Sequence, residues 1–556
     1  MNWLISTLLH RGNDLSTYFL PHAYFFKRSI LENYQLPFWS PIQFLGFPYI
    51  ADPQNYLFYL PNYLFVILPV EVAFLILLLG HLILAGIGTF LLAKKIFHLN
   101  SLFALSTSLT FVFTPKMFSH LEAGHYNMIV AFSWLPLFLL IGLSFVQKLN
   151  IKKAIFLALI SWVMYLNYIN IIYFALLFFA AYSIYHALTN RGQFKIKLFT
   201  IYYLLFTIFF LGLIAPVLFP QIEIAPLTTR SLITYEDVAQ PIWSFSLFAK
   251  NLLFPFNLDH QQMSTERVLF PGLIILSLAA VGFLKTKRFD RYFFLGWPIF
   301  SLLFALGDRI PFFVIFYKFF PLMSWMRITT RLWIISALII ALFAGLGIQS
   351  LWRQEKIRHL TLLIALIGFI EIGVINLKIF SRPIEPEKLP VSFYSIIKSD
   401  HETSFRVYCT TGCFSLQRLG ELGIFTAQGN NPVQLKASID LIAAAGGYEF
   451  NQYIPIIPPY PTFESQPQPS AELFEKLNTK YIVSPYPLTD KNLSLIYQEG
   501  NFLLYQNNLS KPAESSFYSA PRSLRIGLIL FGLTWVGLAY AYRHPQFLLR
   551  PRRARR

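Results

Sequence analysis

The sequence predicts a polytopic α-helical membrane protein of about eleven spans with a small α/β exterior domain. Three observations point there. Of 556 residues, 55% are hydrophobic and 13% charged, with a mean hydropathy of +0.53, far from a soluble globular chain. Apolar windows of about 18 residues or more recur along the chain. Lys and Arg gather in alternate loops, as the positive-inside rule requires.

Apolar runs place spans near 71–93, 101–118, 126–146, 152–166, 168–187, 198–219, 268–284, 292–307, 332–352, 359–378 and 524–542. The fourth and fifth are short and share the turn Leu166-Asn167-Tyr168, as a tight hairpin or a partly re-entrant pair. Basic clusters follow the first, third, fifth, seventh and ninth of these spans and fill the tail. They include Lys94 and Lys95, Lys148 to Lys153, Arg191 to Lys197, Lys285 to Arg291, Arg353 to Arg358, and Arg543 to Arg556. With alternating spans they share one side, which is then the cytoplasm and holds the carboxyl terminus. This asymmetry accounts for the net charge of +18. No basic-aromatic module accompanies it, so a nucleic-acid partner is excluded.

The domain division that follows is 1–70, a first exterior loop with interfacial helices; 71–378, a transmembrane bundle; 379–521, an exterior α/β domain; and 522–556, a last span and basic cytoplasmic tail. The loops 119–125, 220–267 and 308–331 share the exterior side. In the first loop Tyr18, Phe19, Tyr24, Phe25, Phe26, Tyr56, Tyr59 and Tyr63 read as interface aromatics. Met1 to Leu9 is apolar but covers only about half of a ~20-residue span. We therefore expect a helix upstream of which these residues are the outer end.

Within 379–521 the long apolar runs stop. Pro432 to Ala445 reads as a helix, and Ser470 to Leu477 as another with Ser470 as its cap. Tyr481 to Ser484 reads as a strand. Leu493 to Gln498 and Phe502 to Gln506 flank Glu-Gly-Asn as a hairpin. Pro455 to Pro469 reads as an extended loop. Cys409 and Cys413 fit either a local disulfide or two buried thiols, and no metal-ligand spacing surrounds them.

Walker A, dinucleotide and nucleophile-elbow patterns are missing from the sequence, as is His-Glu-x-x-His. An activated substrate would remove the need for ATP, and a lipid-linked sugar is one: its phosphate is the leaving group. Such a site needs a carboxylate to take the acceptor proton and cationic donors on the departing phosphate. Asp14 and Asp52, in the first exterior loop, meet the first need. Asp14 is followed at helical spacing by Tyr18 and His22, and Gln54 lies two residues after Asp52 as a further candidate for substrate binding. Arg327 and Arg331 meet the second need, and a spacing of four sets both forks on one face of a helix. Glu122 and His125 add an exterior acid and a metal-capable imidazole; a divalent metal is a possible cofactor, with none certain. His260 and Glu266 carry a weaker signal.

Each residue has a plainer alternative. Asp14 would cap a helix starting at Leu15, and Asp52 one starting at Pro53. The arginines would be interfacial anchors. Glu122 and His125 would be ordinary loop polarity. His81 and Glu371, inside spans, would bond to neighbouring helices.

The segments Gly12 to Asp14, Pro37 to Pro41, Gly46 to Pro48 and Ala51 to Gln54 resemble the first exterior loop of the YfhO-like family of bacterial membrane proteins. Gly124-His125 to Pro136, Leu306 to Pro321, Arg327 to Arg331 and Leu477 to Val483 extend the resemblance over nearly the whole chain. That family lies within the GT-C class of polyprenyl-phosphate-dependent glycosyltransferases. The resemblance implies a GT-C-like fold in the bacterial cytoplasmic membrane. It implies sugar transfer from a polyprenyl-phosphate donor to an exterior glycan, lipid or protein acceptor, with membrane lipids around the bundle and Asp14 as base. A lipid-linked sugar flippase and a non-catalytic envelope scaffold are the rival expectations.

Overall fold

The computed structural model describes residues 13–190, 196–239, 244–288, 290–311, 313–326, 328–382, 387–400, 405–450, 452–459, 461–511 and 520–544. The apolar Met1 to Leu9, Arg327 and the basic tail beyond His544 lie outside them. The chain divides into two compact units, one drawn from 1–77, 219–234 and 383–522, the other from 78–218, 235–382 and 523–556.

The first unit is built on a five-stranded sheet. The strands described in this unit are β1 (Arg406–Cys409), β2 (Phe425–Thr426), β3 (Gly429–Asn430), β4 (Ile456–Ile457), β5 (Thr479–Ser484), β6 (Leu493–Glu499) and β7 (Phe502–Asn507). The main order is β2-β1-β5-β7-β6, parallel from β2 to β5 and antiparallel beyond, while β3 and β4 form a separate pair. Alternation along the strands divides the core. Val407, Cys409, Tyr481 and Val483 face one cluster with Phe393, Ile397 and Leu419. Tyr408 and Ile482 face the other with Ile439, Ile442, Phe474 and Phe44. Helices therefore cover both faces, and the expected α/β domain is present.

Several local expectations hold within it. Ser470 caps Ala471–Lys476 by accepting from Leu473 N. The hairpin β6–β7 pairs Glu499 with Phe502. Cys409 and Cys413 form a disulfide. Two boundaries are corrected. The helix expected from Pro432 starts at Lys436, because Asn431 Oδ1 takes Val433 N at 2.8 Å and Leu435 is extended. The expected loop 455–469 contains β4 and the short helix Pro461–Ser465.

Phe44 comes from the first loop, which folds onto the sheet. Thr426 N donates to Ile42 O at 3.1 Å, and Arg406 Nε to Phe44 O at 2.9 Å. The helix Leu20–Leu31 lies against Leu416–Leu422 at Gly420, where an added Cβ would stand 2.7 Å from Pro21 Cα. The aromatic residues read as interfacial are partly a core instead. Tyr18, Phe19, Phe26, Tyr56 and Tyr59 are buried, and Tyr56 donates to Phe19 O at 3.0 Å. The loop closes on itself, so these rings meet one another, as Phe26 meets Tyr63 edge-on at 5.4 Å.

In the other unit and along the connecting helices, seven described helices are long and apolar enough to cross a membrane: Val70–Lys95, Tyr126–Gln147, Ile169–Thr189, Ile196–Leu227, Thr329–Trp352, Glu355–Phe380 and Arg522–Arg543. The remaining four of the eleven expected spans are helices of 12, 17, 13 and 15 residues. At about 1.5 Å per residue they reach about 18–26 Å, short of a ~30 Å hydrocarbon core. Their ends have local causes. Thr114 is extended before Pro115, which ends Ser101–Val112 and starts the separate helix Pro115–Glu122. Tyr168 is extended between Ile151–Asn167 and Ile169–Thr189, the tight hairpin that was expected. Gly272, at φ 92°, holds back the start of Leu273–Lys285.

Buried charges in this unit are paired. Glu371 accepts from Leu273 N and Ile274 N, both at 3.0 Å, and so caps a helix N-terminus across the bundle. Arg288 reaches Asp290 at 2.9 and 2.8 Å, and Asp290 also accepts from Tyr182 at 3.1 Å. Arg288, read as a topology charge, is thus also a structural one. Leu273–Lys285 and Trp333–Trp352 pack closely at two glycines: a Cβ on Gly282 would lie 1.9 Å from Phe343 O, and one on Gly347 1.9 Å from Leu278 O.

Gly347→Val is expected to cost about 1–3 kcal/mol or more through overpacking. Gly296, whose Cβ would meet nothing within 4 Å, is expected to accept Ala without loss. Thermal unfolding in detergent checks both; equal midpoints for the two variants would remove the close packing at Gly347.

Candidate functional site

Asp14 opens a π-helical turn, Leu15–Phe19, that runs into Leu20–Leu31. Its side chain makes no capping bond. Asn13 does that work: its Oδ1 accepts from Leu15 N at 3.1 Å, and its carbonyl accepts from Ser16 N and Thr17 N at 3.0 Å. The helix-cap alternative for Asp14 is therefore corrected. Asp14 is half-buried at the head of the helix. A wide turn of this kind is often found at functional positions.

Tyr18 and His22 are buried one and two turns on. The Tyr18 hydroxyl donates to Asp52 Oδ2 at 2.5 Å. His22 Nδ1 lies 2.8 Å from Tyr18 O, so that nitrogen carries the proton and Nε2 is left as the acceptor of a neutral ring. The two rings overlap at 4.3 Å, and Tyr49 stacks beyond His22 at 6.0 Å. Burial and then the neighbouring Asp52 push the Tyr18 phenol well up. Burial pushes the His22 imidazole down, opposed by Asp52.

Asp52 is 2% exposed and sits at the head of a turn. Its Oδ1 takes Gln54 N at 2.9 Å, and its carbonyl takes Asn55 N at 3.2 Å. Pro53 therefore starts a turn, which corrects the helix expected there. Asn431, from the turn after β3, approaches Asp52 Oδ2 at 3.5 Å. Gln43 and Asn430 tie the same region together. Gln43 Nε2 donates to Thr17 O at 3.1 Å, and Asn430 Nδ2 to Thr17 Oγ1 at 3.0 Å. The structure thus joins Tyr18, His22, Asp52 and the backbone of Gln54 into one network. Gln43, Asn430 and Asn431 belong to it and went unnoticed in the sequence, since nothing local marks contacts made across nearly 400 positions.

The other expected residues lie in the other unit. Glu122 accepts from Arg382 at 3.1 Å, and Arg382 also donates to His260 O at 3.2 Å. His125 faces a different neighbour: its Nδ1 is 2.8 Å from His120 Nδ1. Arg331 is paired with Glu266, Nε and Nη2 reaching Oε1 at 2.9 and 2.7 Å, and its third nitrogen reaches the Tyr168 hydroxyl. Ile328 takes a left-handed conformation and Thr329–Leu332 is a 3-10 turn, so the helix of Arg331 does not run back through Ile328. Arg327, expected on one helical face with Arg331, lies outside the described residues.

Lys116, buried in Pro115–Glu122, donates to Thr265 O and Glu266 O at 3.3 Å each. Burial alone would raise the Glu266 carboxyl; Arg331, His120 and Lys116 outweigh it and hold the group well below the carboxylate range. Burial, then Lys116, pushes the His120 imidazole well down. Glu266 looked weak in the sequence because its partners are 65 to 150 residues away.

No family model matches the chain, and no curated protein matches it. Among solved structures it is similar to the arabinofuranosyltransferase AftD from Mycobacteria, with TM-score 0.55 and 12% identity over 91% of this chain and 39% of that one. A mutant of the same enzyme gives TM-score 0.53 and 13% identity over 91% and 41%. The chain spans about two fifths of the length of those proteins. At such identity the likeness is one of fold alone.

Proposed function

We propose that this chain is an integral membrane glycosyltransferase of the GT-C class and the YfhO-like kind, which moves a sugar from a polyprenyl-phosphate donor to an exterior glycan, lipid or protein acceptor. The observation that carries the reading is Asp14: an acid at the head of the first-loop helix whose capping bonds are made by Asn13 instead. The fold likeness to an arabinofuranosyltransferase supports it.

In this reading the Asp14 carboxylate takes the proton of the acceptor hydroxyl as its oxygen bonds to the anomeric carbon. The bond from that carbon to the phosphate oxygen breaks, and polyprenyl phosphate departs with the electron pair. Asp52 has three donors on its two oxygens, so it acts as a positioning residue that fixes Tyr18 and the helix carrying Asp14. Cationic or hydrogen-bond donors on the departing phosphate are the further requirement of this reading. The tail is proposed to be cytoplasmic, from the basic asymmetry of the loops.

The full chain, purified in detergent and assayed with a panel of polyprenyl-phosphate sugars, tests the assignment. Asp14→Asn is expected to lower transfer by about 10²–10⁴ while leaving the unfolding midpoint in place. Wild-type turnover in a folded Asp14→Asn protein would end the catalytic role. Wild-type protein that transfers no sugar but moves lipid-linked sugar across vesicles would put the flippase reading in its place.

Tyr18→Phe is expected to behave differently. It strips a donor from a buried carboxylate, a loss of about 1.5–3 kcal/mol. Stability and turnover should fall together. An unchanged midpoint would show that Asp52 does not depend on Tyr18.

A further inference from the structure

His120 and His125 flank the turn Leu121 to Gly124 between Pro115–Glu122 and Tyr126–Gln147, with His125 N bonded to His120 O at 3.0 Å. Glu266 comes from the separate turn Thr265–Arg267. That turn is fastened to the first helix by Lys116 and by Ser119, whose hydroxyl donates to Thr265 O at 3.3 Å. One ligand atom from each of His120, His125 and Glu266 lies within 4.8 Å of the others.

Among the described residues, two buried atoms in this cluster find no hydrogen-bond partner: His120 Nε2 and Glu266 Oε2. They face each other at 3.9 Å. Lys116 Nζ stands 3.8 Å from Oε2, beyond hydrogen-bond reach. A shared proton explains the 2.8 Å contact between the two Nδ1 atoms, but it leaves these two atoms unsatisfied. Buried polar atoms without partners are costly. A metal ion between the three side chains satisfies them.

We infer that His120, His125 and Glu266 form a binding site for a divalent transition metal of the Zn²⁺ class. Two ligand atoms on tetrahedral zinc stand about 3.3 Å apart, so the 3.9 Å gap closes with a small side-chain rotation. Two imidazoles with one carboxylate suit zinc, whereas Ca²⁺ and Mg²⁺ prefer all-oxygen sets. Arg331 holds the other carboxylate oxygen, the role of an outer partner that orients a ligand. The charges of Lys116 and Arg331 oppose a cation, so the site is set against a cost that the carboxylate and the two imidazole ligands must overcome. The inference stands independently of sugar transfer.

The test uses the full chain without a polyhistidine tag, stripped with chelator, reloaded with Zn²⁺ and freed of excess. Elemental analysis is expected to give about one zinc per chain, with a raised unfolding midpoint. Glu266→Gln and His125→Gln should each lower retained zinc at least tenfold, while His359→Ala, outside the cluster, should not. His125→Gln guards against a folding failure at Glu266, which also holds Arg331. Zinc absent from the folded wild type, or retained equally by both ligand variants, would overturn the site and leave a shared proton between the histidines.

Discussion

A carboxylate taken out of water must be paired, and in this protein that requirement fixes the architecture around each buried acid. Asp52 is held by Tyr18, Gln54 and Asn431. Glu371 is held by two backbone N–H groups at the start of a helix. Glu266 is held by Arg331, Asp290 by Arg288 and Tyr182, and Glu122 by Arg382. Most of these contacts join segments distant in sequence; the local ones, Gln54 on Asp52 and Arg288 on Asp290, involve acids also tied to Tyr18 over 34 positions and to Tyr182 over 108. The acids thereby act as clips between helices and loops as much as sites of chemistry.

That distinction separates the two acids of the first loop. Asp52 is saturated with donors and almost fully buried, so a proton taken there would break the bonds that hold the loop. Asp14 is half-buried at a helix head whose capping bonds come from Asn13. The same loop is built into the sheet domain through Ile42, Gln43 and Phe44. A rigid mount of this kind suits a group that must be presented in one geometry.

In the other unit the short helices have a related logic. A helix that stops before crossing hydrocarbon must have its end groups satisfied by protein. Glu371 does so for Leu273–Lys285. Pro115 creates the break that lets Lys116 and His120 turn inward toward Glu266.

Much of this was legible in the sequence. Apolar windows gave the long helices, Ser470 marked a cap, and Glu-Gly-Asn marked the hairpin, because those signals are local: hydropathy, capping chemistry and turn chemistry act within a few residues. What only the tertiary structure decided was partnership. Asn13 in place of Asp14 as the cap, Tyr18 on Asp52, Glu266 on Arg331 and the aromatic core of the first loop all depend on which segments meet. Helix length likewise depends on more than hydropathy. Hydropathy measures transfer from water, while the breaks at Thr114, Tyr168 and Gly272 come from backbone geometry, and the pairing of a buried charge depends on distances that one-dimensional order does not contain.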